Sequence, residues 1–112
     1  MSDCIFCKIL ASEIPCNKVY EDENVLAFHD INPSAEVHVL VIPKKHIASL
    51  NELEPADEDI MGKLMLSIPK IAKENGLKGF KTLFNTGKDG GQVVFHIHAH
   101  ILGGQMKFNL PE

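Results

Sequence analysis

Residues 90–104 read GGQVVFHIHAHILGG, and this segment carries three of the six histidines of the chain. Histidine and apolar residues alternate strictly within residues 94–102, and a glycine pair stands on each side. The pattern predicts a β-strand. Because side chains two residues apart on a strand point the same way, three histidines share one face and three apolar residues the other. The first face consists of His96, His98 and His100, and the second of Ile97, Ala99 and Ile101.

Three interpretations fit such a row of imidazoles. The first is a metal site built from alternating histidines. The second is phosphate chemistry, in which one imidazole is the nucleophile and a neighbour donates to the phosphate oxygens. The third is a set of structural histidines, each satisfied by a backbone carbonyl. Burying three polar side chains on one face is costly without dedicated partners, so the row indicates a functional site.

The rest of the chain predicts one α+β domain over residues 1–112. Residues 4–13 and 56–75 have the pattern of a short and a long helix. Four further strands are predicted at residues 19–21, 25–28, 36–43 and 80–85. The strand at 36–43 is so apolar that both of its faces must be covered.

Three features have no settled meaning from the residues alone. Cys4 and Cys7 form a Cys-x-x-Cys pair, which fits a redox pair, half of a zinc site, or two small thiols in the core. His38 lies in an apolar strand and is as readily a core histidine as a site residue. The glycines within residues 86–92 let backbone amides approach an anion closely, which weakly indicates a phosphate loop.

Composition limits the functions that fit. A formal charge of −4 and a pI near 5.8 disfavour a protein that binds a nucleic-acid backbone, although a free mononucleotide needs only a local pocket. No apolar stretch approaches the ~20 residues that span a bilayer. The first residues show no basic segment followed by an apolar run. Three cysteines do not make a disulfide framework, so we expect a cytoplasmic protein without a nucleic acid or membrane partner.

The histidine segment resembles the histidine triad (HIT) family. Residues 96–102 fit its alternation of histidines and apolar residues, and the flanking residues 89–92 and 102–104 resemble its histidine triad nucleotide-binding (Hint) branch. The resemblance runs from Ile5 to about Phe108. It implies an α+β fold, with a five-stranded antiparallel sheet, one long helix and a short N-terminal helix. It also implies a homodimer in which the two sheets join.

The resemblance implies hydrolysis of purine nucleoside 5′-phosphoramidates, or adenylylated amines. His98 would be the nucleophile and form a nucleotidyl-histidine, His100 would donate to the phosphate oxygens, and His38 would lie close to both. Further residues would bind an AMP-like purine nucleotide. These are Asn85, Gly91, Gln92 and Val93 at the phosphate, Asp30 at the ribose hydroxyls, and Ile5, Phe6, Ile9, Phe28 and Ile31 at the purine.

The resemblance to bacterial-type relatives implies zinc as a structural cofactor, with Cys4, Cys7, His46 and His96 as ligands. Two thiolates and two imidazoles suit a tetrahedral zinc that has no open catalytic position. The chain departs from the family pattern at Val93, where many relatives carry Ser or Thr. Because valine has no hydroxyl, we expect turnover to be slower or differently selective.

Two alternatives to this hydrolase stay open. The chain would be a nucleotide-binding module if the change at Val93 made catalysis negligible. It would be a zinc-dependent hydrolase if His96, His98 and His100 shared one metal ion, but Cys4 and Cys7 would then have no role.

Overall fold

The computed structural model describes residues 3–106, in which five strands form one antiparallel sheet. The strand order is β1-β2-β3-β5-β4. The elements are α1 (Ile5–Leu10), β1 (Lys18–Glu21), β2 (Val25–His29), β3 (Ala35–Pro43), α2 (Glu58–Glu74), β4 (Lys81–Leu83) and β5 (Ala99–Met106). The predicted fold class is confirmed. The ends of the predicted domain, 1 and 112, and the end of the resemblance at Phe108 lie outside the described residues.

Alternation along the central strands builds two separate cores. On one face the buried side chains of β3 and β5 pack against α2, and on the other face those of β2 and β3 pack against α1. The first core contains Val39, Val41, Ala99 and Ile101 with Leu64, Ile68 and Ile71, and the second contains Leu26, Phe28, Leu40 and Ile42 with Phe6. The prediction that both faces of β3 are covered is therefore confirmed.

The register between β3 and β5 brings two histidines together on the α1 face. Leu40 pairs with His100, and His38 pairs with Leu102. His38 and His100 are therefore diagonal neighbours on adjacent strands, within reach of each other's side chains.

The histidine strand begins at Ala99, five residues later than the alternation predicts. Its last pair with β3 is Val41 with Ala99. Pro43, two residues further along β3, has no N–H with which to continue the ladder, and its carbonyl instead accepts a hydrogen bond from His96 Nε2 at 2.9 Å. The backbone N–H of Ile97 donates to the Ile47 carbonyl at 2.6 Å. The segment before β5 thus bonds to the loop after β3 rather than to the sheet.

The long helix begins at Glu58, after a 3-10 turn over Pro55–Asp57. Acidic residues in its first turn and Lys73 in its last suit the helix dipole. None of the helices within residues 3–106 is long and apolar enough to cross a membrane.

Two glycines give opposite expectations for substitution by alanine. A Cβ at Gly103 would lie 2.5 Å from both δ-carbons of Leu77, whereas a Cβ at Gly62, within α2, would meet nothing within 4 Å. We expect Gly103→Ala to lower the free energy of unfolding by about 1–3 kcal/mol through overpacking. Gly62→Ala should raise it by about 0.5–1 kcal/mol through helix propensity. Urea unfolding of both variants tests this; a Gly103→Ala protein as stable as wild type would contradict it.

Candidate functional site

The ring orientation of His98 is fixed by a backbone carbonyl. Its Nδ1 lies 2.8 Å from the carbonyl oxygen of His96. A carbonyl only accepts, so Nδ1 carries the proton and Nε2 of the neutral ring has a free lone pair. The Phe6 ring packs edge-on against the same imidazole, with centroids 5.1 Å apart and planes at 88°. His98 is 8% exposed. This ring is therefore a buried imidazole with an unprotonated Nε2.

A chain of hydrogen bonds gives His100 the opposite tautomer. The backbone N–H of Ser34 donates to His38 Nδ1 at 2.9 Å, so the proton of neutral His38 is on Nε2. This Nε2 lies 2.9 Å from His100 Nδ1 and donates to it. His100 therefore carries its proton on Nε2. Among the described residues, that buried nitrogen has no hydrogen-bond partner.

The two imidazoles lie side by side, with centroids of His98 and His100 4.9 Å apart. One presents a lone pair and the other an N–H, which is a suitable arrangement for attack on a phosphorus atom with a donor at its oxygens. Within the described residues, no other polar group accepts from the His100 N–H. The buried donor therefore fits an anionic ligand such as a phosphate.

Burial keeps these histidines neutral. It lowers the pKa of His38 and His98, and with the neighbouring His98 and His38 it lowers that of His100 to about 4. The Asp30 carboxylate, whose Oδ2 is 3.5 Å from His38 Nε2, acts in the opposite direction on all three. At neutral pH the site thus holds neutral rings, the form that a nucleophilic imidazole needs.

The glycine loop contributes less to the predicted phosphate site than its sequence indicates. The N–H groups of Gly91 and Gln92 donate to the carbonyls of Lys88 and Gly87 within the loop. The Gln92 side chain is buried and bonds only to backbone, at Ala48 O, Val94 O and Gly87 N. Within residues 3–106, the backbone N–H of Val93 has no acceptor. Of the predicted segment, this amide is the group that is left for a phosphate.

Asn85 lies just past the end of β4. Leu83 pairs with His100 in the antiparallel ladder. If the same register is continued by two residues, Asn85 comes to lie opposite His98. Asn85 is half-buried.

The predicted purine residues divide into buried and open ones. Phe6 and Phe28 lie in the α1 core, with ring centroids 5.6 Å apart, and Ile9 packs beside them. Ile5 is 45% exposed and Ile31 is 89% exposed. The two aromatic rings are therefore largely covered by the core, and the exposed side chains of Ile5 and Ile31 are those that an apolar ligand can contact.

Four sulfur and nitrogen atoms meet at a second centre, where the ligand atoms of Cys4, Cys7, His46 and His96 all lie within 4.8 Å of one another. His96 Nδ1 is 3.4 Å from Cys4 Sγ and 3.6 Å from Cys7 Sγ. His46 Nδ1 is 3.3 Å from Cys7 Sγ and 3.2 Å from His96 Nδ1. A tetrahedral zinc with ordinary bond lengths would hold its S and N ligands about 3.5 Å apart and its two N ligands about 3.3 Å apart.

The surroundings of this centre also fit a metal ion. His96 Nε2–H donates to the Pro43 carbonyl, which leaves Nδ1 unprotonated toward the cysteines. Burial, and secondarily the nearby His46, lowers the pKa of His96 to about 4. Burial and then Cys4 raise the pKa of the Cys7 thiol, so two thiolates here need a cation. These four residues can therefore hold a metal.

Asp30, His38 and His100 also have ligand-type atoms within 4.8 Å of one another. The His38 atom that faces the other two is Nε2. Metal binding there would move the ring proton to Nδ1, where it would oppose the Ser34 N–H. This group is therefore built for hydrogen bonding rather than for a metal.

The three histidines of the row do not meet at one metal. His96 belongs to the cysteine centre, His100 belongs to the group with Asp30, and His98 belongs to neither. In the described part of the chain, the arrangement that a three-histidine zinc enzyme requires is absent.

The sequence did not indicate the roles of the Ser34 amide and the Pro43 carbonyl, and it predicted Gln92 at the phosphate, whereas the buried Gln92 side chain bonds to the backbone instead. The first two act through backbone atoms, which residue type does not reveal. The position of Gln92 between a glycine pair and an apolar run does not reveal its bond to the Ala48 carbonyl, which lies 44 residues away in the chain.

The lowered pKa values predict that stability falls in acid. Because the pKa values of His38 and His100 are lower in the folded protein, the unfolded chain binds more protons as the pH falls. The contribution of these neutral rings to the free energy of unfolding is therefore complete above about pH 6.5 and is lost as the pH falls toward the folded pKa. We expect the free energy of unfolding to drop between about pH 7 and pH 5, and to drop less in His100→Gln. The control is His29→Gln, which removes an exposed histidine. Equal drops in His100→Gln and wild type would contradict the prediction.

Comparison with known proteins gives consistent matches. The HIT domain profile matches residues 11–107. Protein HitA of Neisseria gonorrhoeae is 57% identical over 104 residues, which cover 92% of this chain and 97% of HitA.

Two solved structures superpose closely. A HIT family hydrolase from Legionella pneumophila has a TM-score of 0.89 and 45% identity, with 93% of this chain and 95% of that one covered. A histidine triad nucleotide-binding protein from Candida albicans has a TM-score of 0.84 and 32% identity, with 98% and 84% covered. The histidine row, the sheet that carries it and these matches together identify the chain as a member of the HIT family.

Proposed function

We propose that this protein is a hydrolase of purine nucleoside 5′-phosphoramidates and that His98 is its nucleophile. The observation that carries the proposal is the pair of opposed tautomers: His98 offers an Nε2 lone pair beside the unpartnered Nε2–H of His100. The Legionella relative is described as a hydrolase and the Candida relative as nucleotide-binding, which supports the same class here.

The reaction has two displacements at phosphorus. His98 Nε2 attacks, a P–N bond to the histidine forms, and the P–N bond to the amine breaks as the amine takes a proton from solvent. Water then attacks phosphorus and gives up a proton to solvent, the bond to His98 breaks to leave a neutral imidazole, and nucleoside monophosphate is released. His100 donates to the phosphate oxygens in both transition states, with His38 and the Ser34 amide keeping its proton on Nε2. Asn85 and the Val93 amide complete the phosphate contacts.

The nucleoside lies along α1 in this proposal. Asp30 accepts from the ribose hydroxyls through the oxygen that faces His38, since its other oxygen already accepts from the Asn32 N–H at 2.8 Å. The purine covers the open side chains of Ile5 and Ile31 above Phe6 and Phe28. Burial of this apolar surface supplies affinity, and the site requires no metal for the chemistry.

A binding module is the second candidate, and one observation favours it. Val93 is 86% exposed and has no hydroxyl with which to assist the leaving group. Nucleotide binding with little turnover is the result expected if that assistance is essential.

Zinc is the proposed ligand of the cysteine centre. Cys4, Cys7, His46 and His96 would hold it, and four protein ligands leave no position for a substrate, so its contribution is structural. The thiols are free, and a reducing, cytoplasmic setting suits them.

The proposed assembly is a homodimer. β4 ends the sheet order within the described residues, and α2 exposes Met65 at 48% and Leu66 at 76%. In the proposed dimer a second copy continues the sheet, and the exposed apolar side chains of α2 are further surface that a partner can cover. The single domain over residues 1–112 stays a prediction.

His98→Ala tests the nucleophile. Wild type should release AMP from adenosine 5′-phosphoramidate, and His98→Ala should retain less than about one-thousandth of that turnover, because the covalent route is lost. The control is His29→Ala, and both variants are matched for folding by circular dichroism. If wild type binds AMP but turns over no phosphoramidate, the binding module is correct instead.

Metal analysis tests the zinc proposal. Purified protein should contain one zinc per chain, Cys7→Ser should lose it, and Cys16→Ser should keep it. Chelation should lower the Tm by about 10 °C or more, since a structural zinc is worth several kcal/mol and each one shifts Tm by about 4 °C. An unchanged Tm after complete removal would refute a structural role.

A further inference from the structure

Besides its contact with the His100 ring, His98 has two orienting contacts, and both come from segments that carry cysteine-centre ligands. The hydrogen bond to Nδ1 is accepted by the carbonyl of His96, itself a ligand. The ring that packs edge-on against His98 belongs to Phe6, which stands between Cys4 and Cys7. The phosphate site and the metal centre are therefore neighbours joined by two direct links.

The first link is short and stiff. The His96 ring is fully buried and held at both nitrogens, by the Pro43 carbonyl at Nε2 and by the sulfur atoms at Nδ1. With the ring held at both ends, its own carbonyl has little freedom to turn away from His98. The 2.8 Å bond to His98 Nδ1 thus depends on how His96 is anchored.

The second link passes through a helix that is too short to be stable by itself. α1 has six residues, and an isolated helix of that length does not persist in water. Its start is held by Cys4, whose sulfur accepts from the Cys7 N–H at 3.3 Å. Phe6 then contacts His96, His98 and Phe28, at centroid distances of 5.9, 5.1 and 5.6 Å. Fixing both cysteines fixes the position of this ring.

We propose that the cysteine centre positions the nucleophile. In this view Phe6 and the His96 carbonyl are positioning groups for His98, and a metal on Cys4, Cys7, His46 and His96 holds them in place. The catalytic consequence rests on the proposed phosphoramidate hydrolysis, whereas the effect on the orientation of His98 does not. A purely structural metal would instead change stability and leave His98 unchanged in molecules that stay folded.

The orientation of His98 is observable directly by NMR of protein labelled with ¹⁵N-histidine, through the Nδ1–H resonance of this ring. Three samples are compared at one pH and at a temperature where circular dichroism shows each to be folded: zinc-loaded wild type, wild type after chelation, and zinc-loaded Phe6→Leu. Zinc-loaded Cys16→Ser and Phe84→Leu are the controls. Cys16 packs beside the α1 core without joining the centre, and Phe84 packs on the opposite face of the sheet.

We expect the His98 Nδ1–H signal to shift or broaden after chelation and in Phe6→Leu. In both controls the signal should be unchanged. In the same two samples kcat should fall about 10- to 100-fold, as for other supporting contacts around a site, with a smaller change in KM. A His98 signal identical to wild type in folded chelated protein or in folded Phe6→Leu overturns it. If wild type itself shows no turnover, the proposed function fails, and the NMR comparison still decides whether the centre positions His98.

Discussion

The hydrogen bond from His98 Nδ1 to the His96 carbonyl is the interaction on which the candidate site depends. It gives the imidazole one tautomer and one orientation, and it leaves a lone pair on Nε2. The bond forms because the chain leaves the sheet before Ala99, so that residue 96 can turn its carbonyl toward the ring two positions later. In a continuous strand that carbonyl would face a neighbouring strand.

The early end of the β3–β5 ladder separates His96 from the other two histidines of the row. The ladder between β3 and β5 ends near Pro43, which has no N–H, and its carbonyl takes His96 as a donor. His96 therefore faces the cysteines. His100 stays in β5, where the register sets it beside His38. Three histidines spaced by two residues thus reach the cysteine centre, the proposed nucleophile position and the proposed donor position.

Alternation alone predicted much of this architecture, since it depends on nearest neighbours along a strand. It placed Ala99 and Ile101 in the core, on the face away from His100, whereas the cover on both faces of β3 was predicted from the high apolar content of that strand. The early end of the strand was not predictable from the alternation, because it depends on Pro43, 53 residues away from its partner His96. The bond of Gln92 to the Ala48 carbonyl also joins residues far apart in the chain, so it was not predictable from the local pattern. The glycine loop therefore has fewer free backbone N–H groups than its sequence indicates.

Backbone atoms set the tautomers of four histidines, of which His38, His96 and His98 are buried and His100 is half-buried. The Pro43 carbonyl leaves His96 Nδ1 unprotonated toward the cysteines, the His96 carbonyl leaves His98 Nε2 unprotonated, and the Ser34 amide, acting through His38, makes His100 Nε2 a donor. Burial lowers the pKa of all four, so each ring has one proton to place at neutral pH. A side-chain substitution near the site does not delete these backbone groups, but it can move them. The positions of these rings are therefore most sensitive to the residues that hold the backbone, which are Gln92, Phe6 and the four side chains of the cysteine centre.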